Sequence, residues 1–220
     1  MTPPLSMTAT LLSLLTAALL AGCSTTYYAA MEKAGIHKRD IMVDRVAEAR
    51  SSQEQAQEQF KSALEQFASV VHLRETDLKK AYDRLNGEYE ACVAIADKVS
   101  SRIDSIESVA EALFDEWEAE IDLYQNREMA RSSRAQLQAT QRNYRDMLGR
   151  MKRAEKSMDP VLVIFRDNVL FLKHNLNAQA IGSLRQEFGT LQTQIDELLA
   201  RMNEAIESSD AFIAGMQQNQ

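Results

Sequence analysis

Helix breakers are scarce in this chain. Seven glycines and three prolines occur in 220 residues, and Pro3 and Pro4 stand at the very start, which leaves Pro160 as the one proline of the body. Tight turns draw on both residue types, so their scarcity excludes a turn-rich all-β or α/β domain. Cysteine is nearly missing too, with Cys23 and Cys92 the two thiols. An excess of basic charge is also absent, and the formal net charge of −7 gives no global attraction to nucleic acid or to anionic lipid. Ala, Glu, Gln, Arg and Leu are abundant instead, the composition of long helices.

Long apolar runs are limited to Leu11–Ala21, LLSLLTAALLA, which carries no charge. It falls short of the roughly 20 residues that a bilayer span requires and has the length of a secretory signal core. Leu20, Ala21, Gly22 and Cys23 follow as LAGC, which resembles the bacterial lipobox. That resemblance implies cleavage before Cys23 and acyl chains on its sulfur and new amino group. Two or three chains anchor stably, since each buried methylene contributes about 0.8 kcal/mol. Residues 1–10 hold no Lys or Arg, so the usual positive start rests on the α-amino group. Ser24 after the cysteine, with no Asp retention signal, implies the periplasmic face of the outer membrane.

Beyond a polar lead from Ser24 to Lys38, apolar residues recur at alternating spacings of four and three. Met42, Val46, Ala49, Ala56, Phe60, Ala63, Phe67 and Val70 make one stripe, with Gln53 in its missing step. A longer one runs Leu78, Tyr82, Leu85, Tyr89, Cys92, Ala96, Val99, Ile103, Ile106, Ala110, Leu113, Trp117. Heptads sustained this far predict coiled-coil or bundle helices, the second over about 75–125 and roughly 75 Å long. The phase is lost after Tyr124 and resumes at Leu137, Tyr144, Leu148, Met151 and Met158, which predicts a turn near Asn126. Charge agrees. Glu111–Asp122 holds six acids and no base, whereas Arg127–Lys156 holds nine bases, so folding back at Asn126 lays opposite charges side by side. Asp159-Pro160 reads as N-cap and first helical residue. The stripe after it (Leu162, Phe165, Val169, Leu172, Leu176) is too apolar for a narrow seam and is expected at the centre of a bundle. A slip at Asn175–Asn177, a kink or a short turn, leads to the last stripe: Ile181, Leu184, Phe188, Leu191, Ile195, Leu198, Met202, Phe212.

Three segments are distinctive: GIHKRDIMVDRV (35–46), LFDEWEAE (113–120) and FLKHNLNAQAIGSL (171–184). They resemble the bacterial family known as domain of unknown function 2959, and the likeness covers the whole mature chain. It implies an all-helical envelope lipoprotein and no particular activity.

Residues for familiar chemistries are not spaced as those chemistries need. No glycine group ends in Lys-Ser/Thr, so a nucleotide phosphate loop is not expected. His37, His72 and His174 lack the Glu three residues earlier that a di-iron bundle uses. With Cys23 committed to lipid, Cys92 has no partner for zinc or a disulfide and reads as a buried thiol on a helix stripe. Neither metal nor other cofactor is expected. The basic run carries Tyr144 as its one interleaved aromatic and has acids nearby, so nucleic acid is not expected either. His37-Lys38-Arg39 reads as a solvated helix start or a contact to lipid headgroups.

The sequence thus predicts an all-α, elongated antiparallel bundle or coiled coil of four to five helices. Residues 1–22 are a signal peptide, 23–38 a lipidated N-terminus with a short linker, and 39–217 the helical domain. The function expected is a non-enzymatic structural or adaptor role in the bacterial envelope, with a membrane, protein partners and room for a homo-oligomer. The alternative is a periplasmic chaperone-like clamp for apolar clients. His174, Asn175, Asn177 and Trp117 are the candidate partner surface, while an enzyme would need Glu116 or Glu120 to work beside Trp117.

Overall fold

The computed structural model describes residues 27–28, 30–72, 78–175 and 178–218. Five long helices follow one another: α1 (Lys38–Val71), α2 (Leu78–Ile121), α3 (Arg127–Lys156), α4 (Met158–His174) and α5 (Ala178–Gln218). The 44 residues of α2 extend about 66 Å. Leu20, Ala21, Gly22 and Cys23 lie outside the described residues, as do Leu176 and Asn177.

Cross-bundle bonds set the topology. Glu48 meets Arg102 at 2.7 Å and Gln55 meets Lys98 at 2.9 Å, so α1 and α2 run antiparallel. Arg50 meets Asp210 at 2.7 Å and Gln57 meets Asn203 at 2.7 Å, so α5 is antiparallel to α1. Lys152 reaches Glu107 at 2.6 Å and Arg150 reaches Glu204 at 3.6 Å, which sets α3 between α2 and α5. With α4 extending α3, the result is an up-down-up-down bundle of four rods.

The first stripe is buried throughout, from Met42 to Val70. In the second, Tyr82, Tyr89 and Ala96 are half-buried against the core and Cys92 lies wholly inside. Gln53 occupies its step fully buried, with both amide atoms unpaired, while Gln57 one turn on is satisfied by Asn203 and the Leu199 carbonyl. A polar residue in an apolar stripe costs stability and specifies register.

Local chemistry sets the ends. Asn126 accepts from the backbone N–H of Glu128 at 2.9 Å and of Met129 at 3.3 Å, which caps α3 and turns the chain where the stripe lost phase. At the opposite end Arg185 of α5 donates to the Val71 carbonyl at 2.8 Å, satisfying an acceptor that α1 leaves open.

Two expectations about α4 need correction. Asp159 is not its N-cap. The backbone stays right-handed helical at Ser157, α4 starts at Met158, and the Ser157 hydroxyl donates back to the Ala154 carbonyl at 2.7 Å. Pro160 lacks the N–H that the Lys156 carbonyl would receive, so the rod is interrupted there without turning. Nor is α4 enclosed. Leu172, Phe165 and Val169 are buried, but Val163, Leu170 and Phe171 are 41–47% exposed. Every rod of a four-rod bundle has an outer face, and on α4 that face sets Val163, Leu170 and Phe171 among Arg166, Asp167 and Lys173.

Candidate functional site

A cleft lies where α1 and α5 stop and the α2–α3 hairpin continues. Lys38, the first residue of α1, lies against Glu116, while α2 runs on to Ile121. Near the end of α5, Met216 sits with Gln136, well inside α3. The hairpin therefore stands beyond its neighbours, and on this shoulder is a cleft of about 540 Å³ lined in part by Glu32, Lys38, Arg39, Trp117, Glu120 and Tyr124.

A reversal of the chain brings these residues together. Residues 27–28 and 30–33 are helical and lie on the bundle, with Tyr28 buried. Gly35, at φ +81°, closes this segment as its left-handed cap: Gly35 N–H bonds the Glu32 carbonyl at 2.9 Å and Ile36 N–H the Met31 carbonyl at 3.0 Å. An L side chain is strained at that φ. The turn lays Glu32 beside Lys38, whose ammonium bonds both Glu32 and, at 3.0 Å, Glu116. Arg39 places its guanidinium 5.5 Å from the Trp117 ring centre, and Trp117 Nε1 donates to Ser133 Oγ at 2.9 Å.

The three ionisable groups pull on one another. Burial lowers the Lys38 pKa, but its hydrogen bonds to Glu32 and Glu116 prevail and hold it above 10.5. Hydrogen bonding to Lys38 and then Glu116 holds Glu32 below 4.5. Burial, then the nearby Glu32, raises Glu116 above it. A lysine kept charged between two carboxylates is a poor nucleophile, and carboxylates gathered on one cation form a clamp. Chemically the cluster fastens the segment before α1 onto α2.

The expected partner surface is not one surface. Trp117 is on the shoulder, whereas His174 and Asn175 end α4 at the opposite end of the bundle. His174 is exposed; Asn175 closes α4, its side chain donating to the Phe171 carbonyl at 2.9 Å. Glu116 and Glu120 do line the Trp117 cleft. Lys38 and Arg39 turn onto α2 and away from a solvated start. Sequence reasoning missed Glu32 as their companion, and Gly35 just before a predicted helix was the available signal. Arg134 meets Asp122 at 3.2 Å across the hairpin, as the charge pattern requires. Cys92 is buried and its thiol is pushed up to about 12, chiefly by desolvation.

Among the described residues no group of three His, Cys, Asp or Glu side chains could hold a metal ion, and no helix is long and apolar enough to cross a membrane. No curated protein and no solved structure gives a significant match to the chain. The family model described as protein of unknown function, DUF2959, matches residues 27–216, from the tyrosines on the bundle's flank to the end of α5, and the chain belongs to that family.

Proposed function

We propose that this chain is a lipid-anchored, non-enzymatic adaptor of the bacterial cell envelope, held at the periplasmic face of the outer membrane by acyl chains on Cys23. The observation that carries this reading is Leu20-Ala21-Gly22-Cys23 directly after an uncharged apolar run. The fold is compatible with it: a long bundle offers extended surface to partners at small cost in chain. Replacement of Cys23 by Ser tests the anchor, because a hydroxyl cannot supply the thioether. Cys23→Ser is expected to lose radiolabelled palmitate and to leave the membrane fraction. Unchanged labelling overturns the proposal.

A second reading, a clamp for apolar clients, is favoured by Val163, Leu170 and Phe171 on the outer face of α4. Purified chain suppressing the aggregation of an unfolded test protein, with that suppression lost in Phe171→Asp, would favour the clamp over the adaptor.

A further inference from the structure

Four residue steps separate Cys23 from Tyr27, so at most about 14 Å of extended chain joins their Cα atoms. Tyr27 is not at an end of the bundle. Next to it, Tyr28 shares a hydrogen bond of 3.2 Å with Ser108 of α2. Both tyrosines sit in a shallow groove with Arg45 of α1 and Ser101, Asp104 and Ser105 of α2. Measured along α2 at 1.5 Å per residue, the level of Ser108 is about 45 Å from Leu78 and about 20 Å from Ile121.

We infer that the bundle lies along the bilayer on its α1–α2 flank and stands on neither end. This rests on the lipid anchor at Cys23 proposed above and adds the side of the protein that the lipid surface meets. A bundle standing on the α4–α5 turn holds Tyr27 about 45 Å from the bilayer, three times the reach of the tether. Standing on the hairpin fails by less but still fails. The tether draws Tyr27 to within about 14 Å of the headgroups, which forces the tip about 6 Å or more into lipid. That tip exposes the apolar Leu123, Tyr124 and Met129, but between them stand Glu118, Glu120, Asp122 and Arg127, all exposed, and burying such charges is costly. Lying on the flank satisfies the tether at no such cost.

The flank suits a headgroup surface. Tyr27 is partly exposed there, a residue type that settles at membrane interfaces. Arg45 and Arg102 share Glu48 at 3.0 and 2.7 Å, and Lys98 bonds the neutral Gln55, so this side brings three cations towards the headgroups beside the carboxylates of Glu48 and Asp104. The opposite side, α3–α4 with α5, is turned from the lipid, and Leu170 and Phe171 of α4 are left to protein partners.

Fluorescence transfer to a headgroup acceptor tests the orientation. The lipidated full chain, in a Cys92→Ala background, carries a donor on Lys98→Cys, Leu123→Cys or Glu197→Cys and is reconstituted in vesicles of phosphatidylethanolamine and phosphatidylglycerol. Transfer is expected to be strongest from position 98 and weakest from 197, which lies roughly 20 Å further out, two helix diameters. Inserting roughly 20 Gly/Ser residues between Thr26 and Tyr27 is expected to erase that difference. A chain that floats with vesicles but transfers best from position 123, or equally from 98 and 197, overturns the orientation alone. A chain that does not float overturns the orientation and the lipid anchor together.

Discussion

The shoulder at Trp117 and the outer face of α4 differ in how their groups are satisfied. On the shoulder, Lys38 meets Glu32 and Glu116, Arg39 covers Trp117, and Trp117 bonds Ser133. These contacts join the segment before α1, the start of α1, α2 and α3 to one another, so the shoulder holds the fold together. On α4, Val163, Leu170 and Phe171 face water. Apolar surface has most to gain from a second molecule, so of the two regions α4 is the better place to look for partners.

The comparison breaks most severely at Leu172. It is fully buried on the inner face of α4, one residue from exposed Phe171. Leu172→Asp places an unpaired charge in the core and is expected to cost about 4 kcal/mol or more, which circular dichroism will show as a lost or non-cooperative melt. A stable, fully helical Leu172→Asp protein contradicts the packing of α4.

Lys38→Met tests the shoulder. Two carboxylates then share a site without a cation, and a loss of about 1 kcal/mol, some 2–4 °C in melting temperature, is expected. Trp117 is the one tryptophan of the chain, so its emission reports on the shoulder directly and should shift in the same variant. No shift detaches Lys38 from the integrity of the cleft.

The same clamp predicts a pH dependence whose sign follows from the shifts. Lys38 is raised in the folded chain, so its contribution is full below 10.5 and fades as pH rises through the higher folded value. Wild type and Lys38→Met should therefore differ at pH 7 and converge in alkaline solution. On the acid side, Glu32, lowered, loses its contribution below 4.5, while Glu116, raised, gains as it protonates, so the two partly cancel. Melting temperatures of both proteins across pH 3–12 measure this, and a difference that persists undiminished at the alkaline end refutes the clamp.

Phe171→Asp carries the smallest expected effect on stability, within about 0.5 kcal/mol, because the side chain already meets water. Its helicity should match wild type while crosslinking to envelope proteins falls. Intact crosslinking would move the partner surface off α4.

Much of the fold was legible because heptad spacing reports directly on which side of a helix is dry. Among the described residues the stripes named side chains that are buried or packed on the core, Trp117 excepted, and loss of phase together with the acidic-to-basic switch located the Asn126 turn. The exact break before α4 was less legible. Asp-Pro marks a helix start by local preference, but α3 and α4 stay collinear because the rod continues to pack against α2 and α5. The shoulder was the least visible feature, since Glu32 meets Glu116 across 84 positions of sequence and only Gly35 hinted at the reversal.

The sequence by itself determined the helices, their dry faces and the likeness of the N-terminus to a lipoprotein signal, since each depends on neighbours within a few residues. Tertiary structure alone decided which apolar residues of α4 stay in water, which charges neutralise one another at Trp117, and where along the bundle the tyrosines sit. Those outcomes depend on the stagger of four rods, and stagger is set by packing between helices rather than by the spacing within any one of them.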